Sequence, residues 1–577
     1  GNHSSIEYVE LQPGTDVAAF ENKIKDLNAQ HEKDATEKIE VILQPAKNWR
    51  LLTEFKNGKA VNGFIQYVRM FAVIGILVLV IACINFVNLS TARAEKRARE
   101  VGVRKAIGSS QKNLIIQFLM ESLLVTFLSF VVSILIVQLV LPSFNTITYS
   151  SISIPYSNGI FWCIMLGYLL ITALLAGCRP AFYLSSFQPV KVLKGTVQLG
   201  RGATLPRQVL VVVQFTCSIA LIISTLVIYQ QIEYAKNRPK GYEADNLVMM
   251  NGSDDLNKNY DVLKHDLLQS GQVVSVTRSA SPISWFPASF NIKDFPGKKP
   301  GESMEMATTA ISTGYFKTIG MKFVAGHDYA EDGAADTLNL IINKAAAEQF
   351  RLKDPLNQLI TFEYRQNPMR IIGVVENAIV GSPFYAAGPA LYVYNPGWSG
   401  AIMFRMNAKA NKQEAIKKIA VIFNKYNPSY PFDYRYADDA FSSTYKVEEL
   451  VGTLAGIFAG LAIFISCLGL FGLAAYVAEQ RKKEIGIRKV LGASVSQVWF
   501  ILSRDFVVLV FISSIIASPL AYYFLHGWLQ KYDYRISMGP EAFLIAATIT
   551  IVITIVTVSY QAISTALTNP VKSLRTE

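Results

Sequence analysis

The chain has 577 residues, 51% of them hydrophobic, with a formal net charge of +12 and a mean hydropathy of +0.29. That is too apolar for an ordinary soluble protein of this size, and the length allows several domains. The positive charge does not point to nucleic acid, because much of it lies in short loops beside apolar runs, where it sets membrane orientation.

Residues 1–66 read as soluble sequence. Ile6-Glu7-Tyr8-Val9-Glu10-Leu11 and Ile39-Glu40-Val41-Ile42-Leu43 alternate like strands, and 16–30 has helical spacing, so a small βαβ piece is expected. The apolar run 70–89 has about 20 residues, enough to cross a ~30 Å hydrocarbon layer as a helix. Asn85 and Asn88 near its end suit hydrogen bonds between helices. Further apolar runs cover 114–141, 160–176, 209–228, 451–477, 498–525 and 543–558, which makes seven spans. Cys83, Cys163, Cys178, Cys217 and Cys467 all lie in or at the end of such runs, so neither a disulfide framework nor a CxxC metal site is readable.

Between the first two runs, Ala94-Glu95-Lys96-Arg97-Ala98-Arg99-Glu100-Val101-Gly102-Val103-Arg104-Lys105-Ala106-Ile107-Gly108-Ser109 is polar and basic. Ala478-Glu479-Gln480-Arg481-Lys482-Lys483-Glu484-Ile485-Gly486-Ile487-Arg488-Lys489-Val490-Leu491-Gly492-Ala493 repeats it at one constant offset, 478 − 94 = 384. Each copy follows one apolar run and precedes another, so a membrane module is duplicated. A second pair stands after the last span of each half: Gln188-Pro189-Val190-Lys191-Val192-Leu193-Lys194 and Asn569-Pro570-Val571-Lys572-Ser573-Leu574-Arg575. Proline stops the helix there, and the cations suit a cytoplasmic interface.

Lys and Arg place loops 93–112, 179–207 and 478–493 and the tail on one side, read as cytoplasmic. The uncharged loop 143–157, residues 1–66, region 233–446 and loop 526–542 fall on the other. The second half has a span before its soluble region, and the offset predicts a matching span and most of a first extracytoplasmic domain ahead of Gly1, giving eight spans. The expected layout is therefore a partial soluble domain (1–66), a three-helix module (67–184), a linker (185–206), one span (207–232), a soluble domain (233–446), a second three-helix module (447–568) and a tail (569–577). In region 233–446, residues 247–250, 273–276, 340–342, 371–375 and 401–404 read as strands and 261–269 and 412–424 as amphipathic helices. The fold class is a multi-pass α-helical membrane protein with α/β extracytoplasmic domains.

On a helix, Arg97, Glu100 and Arg104 share one face, as do Arg481, Glu484 and Arg488. Glu100–Arg104 and Glu484–Arg488 are i,i+4 pairs in the favourable order, each worth ~0.3–0.5 kcal/mol. Gly108 and Gly492 suit a helix C′ position. The bland reading is a basic loop lying on anionic headgroups. Topology needs charge alone, whereas the position-by-position match with fixed glycines favours docking on a partner of definite shape. A phosphate loop is excluded, because that pattern puts Lys after its last Gly, and Ser109 and Ala493 follow here. Glu121 and Asp505 also pair at the offset, each early in a span. An acid at membrane depth is a functional candidate, although structural pairing near the headgroups, beside Arg504 in the second case, is the simpler reading. His265 and His327 are isolated, and Asp254-Asp255 and Asp438-Asp439 lack the spacing of a Ca²⁺ loop.

Glu484-Ile485-Gly486-Ile487-Arg488-Lys489-Val490-Leu491-Gly492-Ala493-Ser494 resembles the signature of the MacB/FtsX-type ABC transporter permeases, which include the LolC/LolE lipoprotein-release subunits, and 100–109 is its first-half copy. Ser312-Thr313-Gly314-Tyr315-Phe316-Lys317-Thr318-Ile319-Gly320-Met321, with Gly326-His327-Asp328 after it, is similar to a segment of the MacB periplasmic core domain, and Ile371-Ile372-Gly373-Val374-Val375-Glu376 to another of its strands. The likeness runs along essentially the whole chain. It implies an inner-membrane permease subunit without enzymatic activity, two FtsX-like modules and large periplasmic domains. A separate ABC ATPase, holding ATP and Mg²⁺, would dock on the cytoplasmic segments through Arg97, Glu100, Gly102, Arg104, Lys105, Gly108, Arg481, Glu484, Gly486, Arg488, Lys489 and Gly492. No cofactor or metal is expected on this chain. Membrane lipids and a periplasmic adaptor or cell-envelope protein are the further partners implied. One alternative is a signalling scaffold of FtsX type controlling a cell-envelope enzyme. Another is an autonomous secondary transporter, which would need paired charges or broken helices at mid-bilayer. The MacB protein fuses its ATPase to the permease, and no such domain is readable here.

Overall fold

A computed structural model describes residues 8–27, 40–56, 59–107, 109–185, 204–302, 304–330 and 336–567. Helix α1 (Val17–Ile24) and the hairpin β1 (Glu54–Lys56)–β2 (Lys59–Asn62) open the chain. The Asp16 side chain caps α1 by accepting from the Ala18 and Ala19 amides at 3.0 and 3.2 Å. The runs flanking α1 do not form the expected βαβ piece. Among the described residues, 8–11 and 40–43 join no ladder. Alternation marks a strand only where a sheet covers its apolar face, and Tyr8 and Val9 are exposed.

Four long helices follow: α2 (Ile65–Ala106), α3 (Gln111–Thr148), α4 (Gly159–Ser185) and α5 (Thr204–Lys236). The α/β domain comes next, with strands β3 (Leu247–Asn251), β4 (Val273–Ser279), β5 (Ala288–Asp294), β6 (Glu305–Ile311), β7 (Phe323–Gly326), β8 (Asn339–Asn343), β9 (Leu359–Phe362), β10 (Met369–Val375), β11 (Ala390–Tyr394), β12 (Ala401–Met406) and β13 (Arg435–Tyr436). Its helices are α6 (Asp254–Lys258), α7 (Tyr260–Gln269), α8 (Tyr315–Ile319), α9 (Lys344–Gln349), α10 (Lys412–Tyr426) and α11 (Ala437–Ser443). The chain then re-enters long helices: α12 (Lys446–Gln480), the short α13 (Lys482–Val490), α14 (Val495–Leu529) and α15 (Glu541–Ala566).

Among the described residues, six helices, in α2, α3, α5, α12, α14 and α15, are long and apolar enough to cross a membrane. The seventh expected run, 160–176, lies within the 27-residue helix α4, whose side chains after Leu174 lie largely outside the described ones. In the first module α3 packs on α4 and α4 on α2. In the second, α5 lies against both α12 and α14, and α15 packs on α12 and α14. One apolar core unites these four helices, with Phe215, Ile219 and Ile223 of α5 meeting Leu470, Val510 and Ala546.

The modules meet where α2 crosses α12. The Asn85 amide there donates to the Ile465 carbonyl at 3.1 Å, as expected of a polar residue inside a span. Asn85 and Gly469 are themselves 384 apart, so two copies of one position face each other. A Cβ on Gly469 would overlap the Asn85 amide, and one on Gly472 would overlap Leu89. Gly469→Val therefore overpacks the seam at about 1–3 kcal/mol. Its expected signature is a lower melting temperature of the detergent-purified protein, and an unchanged one would remove the close approach.

The domain sheet has the order β11-β8-β10-β9-β5-β6-β4-β12-β3-β13, with β7 on β10 and β11 also on β6. Central strands read as continuous apolar runs because both faces are covered. Val248, Ile402 and Phe404 point to α7 and α10, while Leu247, Met249 and Met403 face a second core holding Tyr315, Phe316 and Tyr392. The five expected strands lie in β3, β4, β8, β10 and β12, and the two expected helices are α7 and α10.

Candidate functional site

The duplicated segments end alike. Gly492 has φ +93°, Gly492 N–H donates to the Lys489 carbonyl at 3.0 Å, and Ala493 N–H donates to that of Arg488 at 2.9 Å. These two bonds close a Schellman end, which favours glycine at C′. In the first copy Ser109 N–H donates to the Arg104 carbonyl at the same 2.9 Å. Gly108 lies outside the described residues. The next helix then starts on a serine cap in both copies: Ser110 accepts from Asn113 N–H, and Ser494 forms a capping box with Gln497.

Above these turns the copies differ. The first segment continues α2 without interruption, so Gly102 is helical. In the second, the helix breaks at Arg481 (φ −87°, ψ 8°) and α13 is a separate piece. Glu484 and Arg488 form the expected i,i+4 ion pair at 2.6 Å. The side chains of Arg97 and Glu100 lie outside the described ones. Arg104 donates to the Gln117 amide oxygen of α3 at 2.9 Å. Lys105 and Lys489 are half-buried, and Gly486 is buried.

Asp505 is paired with Arg481 across the helix break at 2.9 Å, both partly exposed, and not with its neighbour Arg504. The acid thus ties α14 to the root of α13, a structural pairing that joins two residues of the duplicated set. Glu121 is exposed on α3.

On its inner face α13 buries Ile485 against Ala478, Val498, Leu502 and Ala562. Outward, Ile487, Val490 and Leu491 are exposed, Leu491 at 81%. Its copy Ile107 is also 81% exposed. Each turn therefore presents a bare aliphatic side chain beside its cations, which charge-based reading passed over. The available signal was a large aliphatic residue directly before the terminal glycine in both copies. An apolar centre with a cationic rim suits a protein partner or a layer of anionic headgroups.

At the far end of α14, loop 530–536 ties the membrane helices to the α/β domain. Gln231 of α5, fully buried, donates to the Tyr534 carbonyl at 2.8 Å and accepts from Ile536 N–H at 2.9 Å. Tyr534 stacks on Tyr234 at 4.5 Å, and the Arg238 guanidinium lies 4.2 Å from the Tyr534 ring centroid. Arg238 also donates to the domain carbonyls of Pro383 and Tyr385 at 3.1 and 2.6 Å. Tyr534 N–H donates to the Phe384 carbonyl at 3.0 Å, and Ala386 N–H to Asp533 at 3.1 Å. Phe384 and Tyr532 pack at 4.9 Å, and burial pushes the Tyr532 phenol well above its usual range, keeping it neutral. Lys531 donates to Gln66 of α2. Both modules and the domain converge on this loop. Among the described residues no cluster of three or more His, Cys, Asp or Glu side chains is placed to hold a metal ion.

The FtsX-like permease C-terminal family matches residues 72–189 and again 456–570. The two matches start 456 − 72 = 384 residues apart, the offset of the repeat. The MacB-like periplasmic core domain family matches residues 215–422. Among similar proteins, the uncharacterized ABC transporter permease YknZ of Bacillus subtilis is 20% identical over 42% of this chain and 64% of its own length. The macrolide export ATP-binding/permease protein MacB of Aggregatibacter actinomycetemcomitans is 24% identical over 32% of this chain and 30% of its own length. This chain thus matches less than two thirds of either relative. The crystallised periplasmic region of MacB from Actinobacillus actinomycetemcomitans superposes with a TM-score of 0.27 at 18% identity, covering 35% of this chain and 94% of that one. Two FtsX-like modules flanking a MacB-like core domain, with the module matches in register with the internal repeat, place this chain in the MacB/FtsX-like family of ABC transporter permeases.

Proposed function

We propose that this chain is the membrane subunit of an ABC complex and relays ATP-driven movement from a separate ATPase to its own α/β domain. It would reside in the inner membrane with the duplicated turns in the cytoplasm and the domain in the periplasm. ATP and Mg²⁺ would be held by the partner, and this chain would carry no catalytic site. The observation that carries the reading is the course of α14. One end holds Asp505 on the root of α13, and the other runs into loop 530–536, which grips the domain. A helix of 35 residues, with Pro519 inside it, spans about 50 Å at 1.5 Å per residue, so a push on α13 has one continuous helix to follow toward the domain.

The orientation is tested by single cysteines in the intact protein. Those at Ser110, Thr196 and Ser494 should resist a membrane-impermeant thiol reagent added outside, and those at Ser151 and Ser399 should react. Outside access at Ser494 would overturn the map.

A further inference from the structure

A narrow slot lies at the domain end of the seam between the modules, beside loop 530–536. Tyr67 of α2, Glu448 and Val451 of α12, Trp528 of α14, Tyr532 and the domain's Phe384 line it, with two isoleucines of α5. Tyr67 and Val451 are copies of one position, 384 apart, as Asn85 and Gly469 are, so the slot stands on the same seam. Phe384 and Tyr532 are buried and form its floor, while Tyr67, Trp528 and Glu448 are half-buried and form its rim. The Phe384 and Trp528 rings lie 4.9 and 5.1 Å from that of Tyr532.

Glu448 is the one charged group of this lining. The lysines of the same elements are engaged elsewhere: Lys236 pairs with Glu449 at 2.5 Å, Lys446 lies 5.9 Å from the Tyr149 ring centroid, and Lys531 donates to Gln66. Among the described residues no cation pairs with Glu448, and its neighbours are the phenols of Tyr67, Tyr385 and Tyr532. The copy of Glu448 in the first module is Phe64, so the repeat does not require the acid. A carboxylate that lacks a cation and is framed by aromatic faces is the complement of an ammonium group. The depth suits one too. Tyr67 and Glu448 stand in the first turns of α2 and α12 and Trp528 in the last turn of α14, where spans end among headgroups.

We infer that this slot binds a primary ammonium on a slender chain, supplied by the ethanolamine headgroup of a membrane lipid or by a free aliphatic amine. Glu448 is its counter-ion, and the Tyr67 and Trp528 rings flank it. The narrowness of the slot excludes a methylated ammonium. Its rings are packed closed in this structure, so the guest turns the half-buried Tyr67 aside. Because Phe384 and Tyr532 form the floor, the occupant touches the loop that holds the domain. The inference rests on the membrane placement of the helices and not on the ATPase reading.

Lipid retention tests the first source. The full-length protein is placed in nanodiscs of equal parts phosphatidylethanolamine, phosphatidylcholine and phosphatidylglycerol, washed in detergent, and its lipids are counted by mass spectrometry. Phosphatidylethanolamine should be retained about tenfold over both others, and Glu448→Gln should erase the difference. Trp528→Leu, which keeps the acid, should weaken it about fivefold. Calorimetry with ethylamine in phosphatidylcholine nanodiscs tests the second source. Saturable ethylamine binding that Glu448→Gln removes, without lipid enrichment, identifies a free amine. Equal retention of the three lipids together with no saturable ethylamine binding would overturn the site. So would either signal persisting unchanged in Glu448→Gln.

Discussion

Arg104→Glu combined with Arg488→Glu should abolish co-purification of the ATPase and the stimulated ATP hydrolysis of the complex, while the protein still inserts in the membrane. Both arginines sit in the last turn of their segments, three residues before Ile107 and Leu491. If Ile107 and Leu491 enter the partner, the cations at their rim meet its surface. Reversal then opposes like charges, at several kcal/mol each if buried. On a lipid surface each lost cation would cost only ~1 kcal/mol, and the complex would persist. The single variants should differ. Glu in place of Arg488 breaks the pair with Glu484 and sets two acids at i,i+4, which itself weakens α13. Glu in place of Arg104 likewise sets two acids at i,i+4, with Glu100, and removes a bond to Gln117, but the helix it weakens is a long continuous one instead of a nine-residue piece. Leu491→Asp with Ile107→Asp, which leaves every cation in place, should dissociate the ATPase as well. An intact, hydrolysing complex from the double reversal would leave only the headgroup reading.

Gln231→Leu should uncouple the domain without unfolding the bundle. The substitution is nearly isosteric and keeps a fully buried side chain, but it leaves the Tyr534 carbonyl and the Ile536 N–H, both partly buried, without their partner. Each such loss is worth about 1–3 kcal/mol. Loop 530–536 should then loosen together with the domain residues it holds, Phe384 and Ala386. Amide exchange should rise in 530–536 and 383–386, and the sheet strands should keep their protection. The ATPase should still bind, because α13 lies at the other end of α14, but distance changes in the domain during ATP turnover should shrink. Arg238→Ala should act in the same direction by removing two bonds to domain carbonyls and the contact with Tyr534. Unchanged exchange in 530–536 would show that the loop is held by its aromatic packing alone.

What the sequence determined by itself are the properties written locally or by repetition. The duplicated turns are legible because a C′ glycine, a serine cap and an i,i+4 acid–base pair each leave a residue at a fixed spacing. β3, β10 and β12 are legible because strands covered on both faces become uninterrupted apolar runs. Strands β5, β6 and β11 are not, for separate reasons. β5 is largely exposed, β6 is rich in Ala and Thr, and β11 pairs in parallel with β6, some 80 residues away. The tertiary structure alone decided which acid meets which base. Arg481 reaches Asp505 because the turn after α13 brings the first turns of α14 back against it, with Ile485 packed on Val498 and Leu502. It also decided that one copy breaks into α13 while the other runs on, since Ile485 finds an apolar seat on Ala562, a residue 77 positions later. The grip on the domain draws on positions 231, 238, 384, 386, 533 and 534. No periodicity links them, because hydrogen bonds to backbone atoms leave no pattern in side-chain sequence, so only the folded chain brings them together.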